Sequence, residues 1–513
     1  MKKEFPTIFL YNTLTGEKNP FKPLKEGEVK MYSCGPTVYD FAHIGNFRSF
    51  LVSDLLVRVL KYAGYKVTKA QNITDVGHLV ADSDDGEDKI LKKARLEKKD
   101  PFAIARAFED AFVADEKVLR ILPPEFRPRA TDFIPEQIAL AEKLIQEGYA
   151  YEANGSVYFR TKKFKTYGTL SGNKLEDVMA GARVEVNSEK EDPLDFALWK
   201  RAEENHLMQW NSPWGRGFPG WHAECSAMSA KLLGLPFDIH TGGEDNIFPH
   251  HECEIAQNEC SSGVSPSVRY WLHVKHLLVD GKKMSKSQGN FFTIRDLIEK
   301  GWKGEEIRFA LLKSHYKTEF NFSEQRLEEA RSNIRKIRDA YKIFKKVSQE
   351  ERETPLSLDQ KFEDTFKNQK NHFKRALFDD LNVPQALSDV YEMIDFTIKG
   401  AEAMGSDILP EEATRLADFL ENDFDSVFDV LKGEENPEEQ ELFSKKVQPY
   451  IRERLKFRAE KNWEEADRIR DLLLNKFNVE LKDEKAQGDK EKTVWQEKTG
   501  KAAGTEFYPY LDI

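Results

Sequence analysis

The feature that most constrains the fold is a strand, a helix and a second strand in close succession near the beginning of the chain. Residues 29–35 are mostly apolar and run into Ser-Cys-Gly-Pro, which predicts a strand followed by a loop. Between 45 and 64 apolar residues recur at helical spacing, and Gly64 supplies a stop signal. Residues 65–72 predict a second strand. This βαβ unit predicts a parallel α/β sheet.

Composition divides the rest of the chain into further segments. Gly, Pro and aromatic residues are frequent between 141 and 220, where the α/β alternation stops and an inserted subdomain is expected. After Thr318 the apolar residues fall on one helix face and predict a helical domain. The expected boundaries are 1–140 and 221–325 for the two halves of the α/β domain, 141–220 for the inserted connective subdomain, 326–435 for a helical bundle and 436–513 for a small C-terminal domain with a tail.

Composition also excludes several classes of protein. The longest apolar stretch, Phe50 to Tyr65, contains three charged residues and is too short to span a bilayer, so no membrane association is expected. No signal peptide is recognised at the start, and four cysteines in 513 residues make no disulfide framework. We therefore expect a cytoplasmic protein whose cysteines are ligands, catalysts or core residues. The net charge of −11 argues against non-specific coating of nucleic acid.

Three separated segments carry potential metal ligands. His250 and Glu254 are four residues apart and would share one helix face, whereas the three residues between them are expected on other faces. Cys225 and Cys34 lie in distant segments. Two thiolates, an imidazole and a carboxylate make a plausible tetrahedral zinc shell. The alternative is that both cysteines are buried as small apolar residues.

A first nucleotide-binding signature, His43-Ile44-Gly45-Asn46, stands at the junction of the first strand and the helix. A helix N-terminus offers unpaired N–H groups and a positive dipole end to phosphate oxygens. Gly45 removes a side chain where adenine would approach the backbone. His43 and Asn46 could donate hydrogen bonds to a triphosphate. Taken alone, these four residues more often mark an ordinary helix start than a nucleotide site.

A second signature is the lysine-rich string from Gly281 to Asn290. Lys283 and Lys286 lie between glycines, which predicts a mobile cationic loop able to close over a pyrophosphate group. A solvated surface loop is the alternative. A zinc site beside a nucleotide site indicates an enzyme that activates a group which zinc can hold, and a thiol is the obvious candidate.

Taken together, the motifs resemble those of the cysteinyl-tRNA synthetase family of class I aminoacyl-tRNA synthetases. The resemblance runs through the catalytic half and continues past residue 460. The strings that carry it are Cys34 to Asp40, His43 to Asn46, Asn72 to Asp75, Pro213 to Gly215, Gly220 to Met228, Asp238 to His240, Phe248 to Glu252 and the lysine loop.

The resemblance implies an α/β fold, with a Rossmann-type parallel-sheet catalytic domain, an inserted subdomain, a helical-bundle domain and a small C-terminal anticodon-binding domain. It implies one zinc ion per chain, held by Cys34, Cys225, His250 and Glu254. The other expected residues are Thr74, Trp221 and His222 for the amino acid, Gly45, Gly243, Asp245 and Lys286 for ATP, His43, Asn46, Lys283 and Lys286 for catalysis, and Arg458, Trp463, Asp467 and Asp483 for tRNA.

The implied reaction is ATP-dependent formation of cysteinyl-adenylate, followed by transfer to the terminal ribose of tRNA(Cys). The implied partners are ATP with Mg²⁺, L-cysteine and tRNA(Cys), and a monomer is expected. A basic segment from Phe443 to Trp463 supports the RNA assignment, although a solvated helix face has the same charge pattern. Trp463 could stack on an unpaired base or be a core aromatic residue.

The chain departs from the family pattern at three places. The first signature often ends in a second histidine, and here Asn46 takes that position. An acidic stretch lies between Asp75 and Lys89 and predicts a solvated loop rather than a metal site. A tail without a clear interpretation follows Trp495. The insertion is small for a hydrolytic editing domain, so no editing activity is expected.

Two other functions have to be weighed against this one. A cysteine ligase acting on a small amino-sugar shares the activation half but lacks the anticodon-binding end, which this chain has. A non-catalytic RNA-binding paralogue would be expected to lose the metal ligands or the lysine loop, and both are intact in this sequence.

Overall fold

The computed structural model describes residues 5–77, 88–173, 188–204, 206–284, 289–350, 360–404, 408–432, 448–458, 460–477, 479–485, 491–497 and 503–507. Lys286, most of the acidic stretch between Asp75 and Lys89, and the last residues of the tail lie outside these ranges. The chain forms two compact units, one ending at Leu431 and one beginning at Lys432.

Strands and helices alternate in the first half of the first unit, and helices follow. Its strands are β1 (Phe9–Asn12), β2 (Glu17–Pro20), β3 (Glu28–Ser33), β4 (Lys66–Gln71), β5 (Ala150–Ala153), β6 (Ser156–Phe159), β7 (Phe196–Arg201), β8 (Trp210–Ser212), β9 (Gly215–Pro219), β10 (Phe237–Gly243), β11 (Val268–Val274), β12 (Leu277–Val279), β13 (Lys282–Lys283) and β14 (Phe320–Phe322). Its helices are α1 (Ile44–Tyr62), α2 (Lys89–Glu97), α3 (Pro101–Val118), α4 (Ile134–Gln146), α5 (Trp221–Leu233), α6 (Glu252–Ser262), α7 (Ile294–Glu299), α8 (Gly304–Leu312), α9 (Glu324–Val347), α10 (Gln360–Phe378), α11 (Val383–Met404), α12 (Pro410–Asp418) and α13 (Asp425–Phe428).

A four-stranded parallel sheet forms the centre of the first unit, in the order β11-β10-β3-β4. The predicted βαβ unit is therefore confirmed, with α1 connecting β3 to β4. Strand β4 lies on one side of β3, and β10 lies on the other. In such sheets ligands bind at the carboxyl ends of the strands where the order reverses. The fold therefore predicts a site at the ends of β3 and β10.

Helix α1 is buried on nearly all sides, which explains why its sequence is apolar around its circumference. The charged residues that argue against a membrane span are accommodated by pairing. Asp54 accepts hydrogen bonds from Arg58 at 2.8 Å and from Arg308 of α8 at 2.7 Å. None of the helices in the described segments combines the length and apolar content that a membrane crossing requires.

The region between residues 150 and 219 forms a separate five-stranded antiparallel sheet, in the order β5-β6-β7-β9-β8. Its apolar face shares a core with α4, α5 and α6. The sheet therefore supports the two helices that carry Cys225 and Glu254.

A helical region follows the parallel sheet, as the apolar spacing predicts. Five apolar residues of α9 are predicted on its inward face. Leu327, Ile334, Ile337 and Phe344 are buried, and Tyr341 is half-buried. Helices α10 and α11 pack against one another, and α12 packs against α9.

The second unit contains a helix at 448–458, which we call α14, followed by α15 (Trp463–Phe477) and an antiparallel sheet of β15 (Val479–Lys485), β16 (Glu491–Glu497) and β17 (Ala503–Phe507). A small apolar cluster of Ile451, Leu455, Ile469, Leu473 and Val479 holds α14, α15 and β15 together.

Candidate functional site

A cavity of about 450 Å³ opens at the carboxyl ends of β3, β4 and β10, where the sheet order predicts a site. It brings together residues that are far apart in sequence. The predicted site residues that line it are Cys34, His43, Gly45, Asn46, Thr74, Trp221, Cys225, Gly243, Asp245, His250 and Lys283.

The four predicted metal ligands converge at the floor of this cavity. Cys34 follows β3, Cys225 lies within α5, His250 precedes α6 and Glu254 lies in its first turn. Their ligand atoms all lie within 4.8 Å of one another, and all four side chains are buried. The Nε2 atom of His250 is 3.1 Å from Oε1 of Glu254. This donor set and its compactness fit a zinc ion, for which sulfur, nitrogen and oxygen ligands are typical.

The electrostatics of the cluster also favour a bound cation. Burial alone would raise the pKa of Glu254, but His240 and His250 outweigh it and lower the pKa to about 2. Burial opposes the charge on His250, yet Cys225 and Glu254 raise its pKa to about 10. The neighbouring Cys34 thiol and burial hold the pKa of Cys225 well above its usual range. Two thiols and a carboxylate so close together compete for protons, and a divalent cation would relieve that competition.

A second set of possible ligands overlaps the first. His240 and His251 lie with Cys34 and Glu254 so that their ligand atoms are also within 4.8 Å of one another. The Nε2 atom of His251 is 3.2 Å from Sγ of Cys34. The expectation that His251 faces away from the site is therefore wrong. The physical reason is that His251 has helical backbone angles and stands three residues before Glu254, and residues i and i+3 of a helix lie on the same side.

The other two residues between His250 and Glu254 do point elsewhere, as predicted. Glu252 accepts hydrogen bonds from the backbone N–H groups of Leu170 and Ser171. Cys253 lies 3.2 Å from the hydroxyl of Tyr167. Both side chains therefore fasten α6 to the inserted region.

Aromatic and imidazole rings surround the His250 ring. Trp221 stacks on it with centroids 4.5 Å apart and an interplanar angle of 23°. His222 approaches from another side, with its Nδ1 atom 3.0 Å from Nδ1 of His250. Trp221 faces the cavity, whereas the predicted substrate residue His222 is buried behind it. These two residues fix the orientation of the candidate ligand.

Asn72, the first residue of the Asn72 to Asp75 string, also lines the cavity. Its Oδ1 atom accepts from the backbone N–H of Gly35 at 2.9 Å, and its Nδ2 atom donates to the hydroxyl of Thr74 at 3.1 Å. A Cβ atom on Gly35 would lie 1.7 Å from the Asn72 carbonyl oxygen. Asn72 thereby locks the loop after β3 to the loop after β4. Its position directly after β4 is the sequence signal that could have identified it.

The first signature forms the N-terminal cap of α1. The Nδ1 atom of His43 accepts from the backbone N–H of Asn46 at 3.1 Å, and Oδ1 of Asn46 accepts from the backbone N–H of His43 at 3.0 Å. Burial lowers the pKa of His43 to about 4, so the ring is neutral at pH 7. Because Nδ1 is an acceptor, the proton of the neutral ring is on Nε2.

The second signature approaches the first across the mouth of the cavity. A Cβ atom on Gly45 would lie 2.9 Å both from Cε1 of His43 and from Cε of Met284, so no larger residue fits there without rearrangement. Lys283 is exposed on the β12–β13 hairpin and lines the cavity. Lys286 lies outside the described residues.

The predicted tRNA-binding residues lie in the second unit. Trp463 is 55% exposed, so the interpretation of Trp463 as a core residue is wrong. The guanidinium of Arg458 lies 5.4 Å from the Trp463 ring centroid. Asp467 forms an exposed ion pair with Arg470 at 2.9 Å. Asp483 belongs to β15, and its side chain lies outside the described residues.

Comparison with known proteins gives consistent matches. Residues 20–332 match the family model of the class I (C) tRNA synthetase catalytic domain. The cysteine--tRNA ligase of Chlorobaculum tepidum is 40% identical over 96% of this chain and 99% of its own length. That of Brevibacillus brevis is 43% identical over 91% of this chain and 96% of its own length.

Among solved structures, methionyl-tRNA synthetase of Mycobacterium tuberculosis in complex with methionyl-adenylate is similar in fold. The superposition of the two structures has a TM-score of 0.57 at 14% sequence identity. It covers 76% of this chain and 88% of the methionyl-tRNA synthetase chain. At this identity the likeness concerns the fold alone, and it agrees with the parallel sheet described above.

Proposed function

The chain belongs to the cysteine--tRNA ligase family of class I tRNA synthetases, and from this membership we propose that it activates L-cysteine with ATP and transfers it to the 3′ end of tRNA(Cys). Members of this family are ATP-dependent ligases, and this chain is one. One observation carries the proposal beyond membership. Three members of the metal-ligand cluster, Cys34, Cys225 and His250, line the same cavity as the cap of α1, so that groups suited to a thiol and to a nucleotide are adjacent.

We further propose that the first ligand set holds one zinc ion. A zinc ion bound there would take the thiolate of cysteine and reject serine, because a thiol ionises readily to a strong zinc ligand and an alcohol does not. Cys34, Cys225, His250 and Glu254 would hold the ion. Trp221 would fix the ring of His250. Thr74, which follows the end of β4, would line the amino-acid pocket.

Residues of α1 and the lysine loop would act on ATP. The N-terminal turn of α1 presents its dipole to phosphate oxygens, and Nε2–H of His43 is available as a donor. The side-chain NH₂ of Asn46 is the second donor. Lys283 and Lys286 would stabilise negative charge on the departing pyrophosphate. Gly243 and Asp245, at the end of β10, would lie beside adenosine.

The proposed reaction has two steps. ATP enters as its Mg²⁺ complex. The carboxylate of cysteine attacks the α-phosphorus, and pyrophosphate leaves with the electron pair of the broken bond. A ribose hydroxyl at the 3′ end of tRNA then attacks the carbonyl carbon of the adenylate, and AMP leaves. The chain contributes by holding the amino acid and the α-phosphate in one cavity. The attack then proceeds as a unimolecular step between two groups that are already positioned.

The second unit would bind the anticodon of tRNA(Cys). Exposed Trp463 offers a face on which an unpaired base can stack, and Arg458 beside it offers a planar cation. Asp467 and Asp483 are proposed as further contacts. The full-length match to cysteine--tRNA ligases favours this over an amino-sugar ligase, which lacks the anticodon-binding end. The intact cluster favours an enzyme over a non-catalytic paralogue. We also propose a monomeric, cytoplasmic enzyme.

The test is ATP–pyrophosphate exchange by the purified protein, followed by charging of tRNA(Cys). Exchange that depends on cysteine, together with cysteinylated tRNA, is expected. Exchange without charging would favour the amino-sugar ligase, and neither activity would favour the paralogue.

A further inference from the structure

Glu244 joins the end of β10 to the segment that enters the β12–β13 hairpin. It stands between Gly243 and Asp245, two residues that line the cavity. Its Oε1 atom accepts a hydrogen bond from the backbone N–H of His276 at 2.8 Å. Its Oε2 atom lies 2.5 Å from Nζ of Lys275. Both partners directly precede β12, so one carboxylate holds the start of the hairpin that carries Lys283.

This contact continues the pairing of β10 and β11 beyond its last backbone pair. The two strands run parallel and pair up to Gly243 and Val274. After Gly243 the chain turns into a short 3₁₀ helix, Glu244–Asn246. The backbone alone therefore no longer sets the distance between the two segments. The Glu244 side chain takes over this task, and it does so at the end of the strand where adenosine is proposed to lie.

The contact is charged and partly shielded from solvent. Burial opposes the charge on Glu244, but Lys275 and the His276 N–H outweigh it and hold the pKa of the carboxyl below its usual range. Glu244 in turn raises the pKa of Lys275. The Glu244 side chain is 16% exposed, against 49% for Lys275. A hydrogen bond from a backbone N–H to a carboxylate is stronger than one between neutral groups, so this link is well suited to fix a segment.

Helix α1 holds the same hairpin from a second direction. Arg48, which is buried two residues after Asn46, donates to the carbonyl oxygen of Lys275 at 2.5 Å. On the far side of the lysine loop, the backbone N–H of Ile44 donates to the carbonyl oxygen of Phe292 at 3.0 Å. The segment that carries the lysines is therefore fixed to α1 before and after the loop, and Glu244 fixes its start to β10 as well.

We propose that Glu244 is a positioning residue for cysteine activation, which sets the place of Lys283 and Lys286 relative to the adenosine end of β10. The inference rests on the proposed function, because it assumes that the two lysines act on ATP. The Glu244 side chain does not line the cavity, so it acts through the hairpin and not on ATP itself. A displacement of a catalytic group by about 1 Å can cost roughly 10²-fold in rate, so a loosened hairpin should be costly.

The first test compares three variants of acidic residues near Lys275. Glu244→Ala should lower the rate of adenylate formation about 10-fold, with the KM for cysteine within about 2-fold of the wild-type value. Glu244→Gln should restore most of the rate, because its amide oxygen can still accept from the His276 N–H. Glu319→Ala is the matched control, since Glu319 is exposed and also raises the pKa of Lys275. A wild-type rate in Glu244→Ala would overturn the inference.

The decisive measurement repeats the substitution in a chain that lacks both lysines. In the Lys283→Ala/Lys286→Ala background, Glu244→Ala should lower the remaining rate by less than about 2-fold, because the groups that it positions are gone. A loss as large as in the wild-type background would overturn the inference, since Glu244 would then act on another part of the site or on the fold in general.

Amide hydrogen exchange gives a readout that does not depend on activity. Glu244→Ala should speed hydrogen exchange in residues 276–283 about 5-fold or more, with α1 as in the wild type. Unchanged hydrogen exchange in the hairpin would overturn the inference. Should Glu244→Ala not fold, Glu244→Asp takes its place, because it keeps the charge but is too short to reach both partners.

The failure of this inference can be told apart from the failure of the proposed function. If the wild-type protein shows no cysteine-dependent pyrophosphate exchange, the proposed function fails and the role of Glu244 in activation fails with it. Normal activation by the wild-type protein together with a silent Glu244→Ala would remove this inference alone.

Discussion

The side chains of His43 and Asn46 cap helix α1 reciprocally, each accepting a hydrogen bond from the other residue's backbone N–H, at 3.1 and 3.0 Å. This geometry leaves Nε2–H of the neutral histidine and the NH₂ group of the asparagine as donors. It accounts for asparagine where the family often has a second histidine, because the cap needs an acceptor at this position and an amide also carries a donor.

Substitutions of Asn46 should separate its two roles. Asn46→Ala removes the acceptor and the donor, so we expect a loss of about 1 kcal/mol in stability together with slower cysteine activation. Asn46→Asp keeps the acceptor but replaces NH₂ by a charged oxygen that repels phosphate, so thermal stability should be retained while activation falls at least about 10-fold. Activation by Asn46→Asp at the wild-type rate would show that the amide does not contact ATP.

The lysine loop should act mainly on the transition state. Lys286→Ala is expected to lower the rate of cysteine activation roughly 10²-fold or more with little change in cysteine affinity. Lys282→Ala is a suitable control, because Lys282 is exposed on the same hairpin and does not line the cavity. Pre-steady-state measurement of adenylate formation in both variants provides the comparison, and an unchanged rate in Lys286→Ala would remove the loop from the mechanism.

Trp463 should affect only the step that involves tRNA. Loss of one base–aromatic stack in Trp463→Ala should weaken charging by about 1–3 kcal/mol. Pyrophosphate exchange without tRNA should be untouched, and Trp463→Phe should restore most of the charging. An equal loss in the two assays would mean that the substitution damages the fold rather than an RNA contact.

The two overlapping ligand sets differ in which histidine they use. If the first set holds the ion, His250→Ala should lower the zinc content of the purified protein well below one per chain. His251→Ala should retain zinc, because the His251 ring would then only support the ligand Cys34, whose Sγ atom lies 3.2 Å from its Nε2 atom. Elemental analysis of both variants decides the matter, and retention of zinc in His250→Ala with loss in His251→Ala would assign the ion to the second set.

The sequence could predict the βαβ unit because such a unit depends on local patterns. The four candidate ligands come from three separated segments, and they were grouped by their residue types and by the family resemblance. Strands β3 and β4 and helix α1 begin and end within two residues of the expected positions. The place of His251 was not predicted, because the i, i+4 pairing of His250 with Glu254 hid the i, i+3 pairing of His251 with the same carboxylate. Both spacings bring an imidazole to the Glu254 carboxylate, with Nε2 to Oε1 distances of 3.1 Å for His250 and 3.9 Å for His251.

The buried ion pair between Asp54 and Arg308 is a second feature that the sequence could not predict. The two residues are 254 positions apart, and their 2.7 Å contact joins α1 to α8 in the interior. In the sequence each is simply a charge within an apolar run. Spacing along one helix says nothing about a partner contributed by another, so the buried ion pair required the tertiary structure.

The most direct test of thiol selection by the cluster is pyrophosphate exchange measured with cysteine and with serine on protein of known zinc content. An apolar pocket would distinguish two such near-isosteres only by about 10²-fold. We predict one zinc ion per chain, rapid exchange with cysteine, far stronger rejection of serine than that, and no hydrolysis of pre-formed seryl-tRNA. Protein without zinc that still activates cysteine, or ready activation of serine followed by deacylation, would contradict the proposed selection.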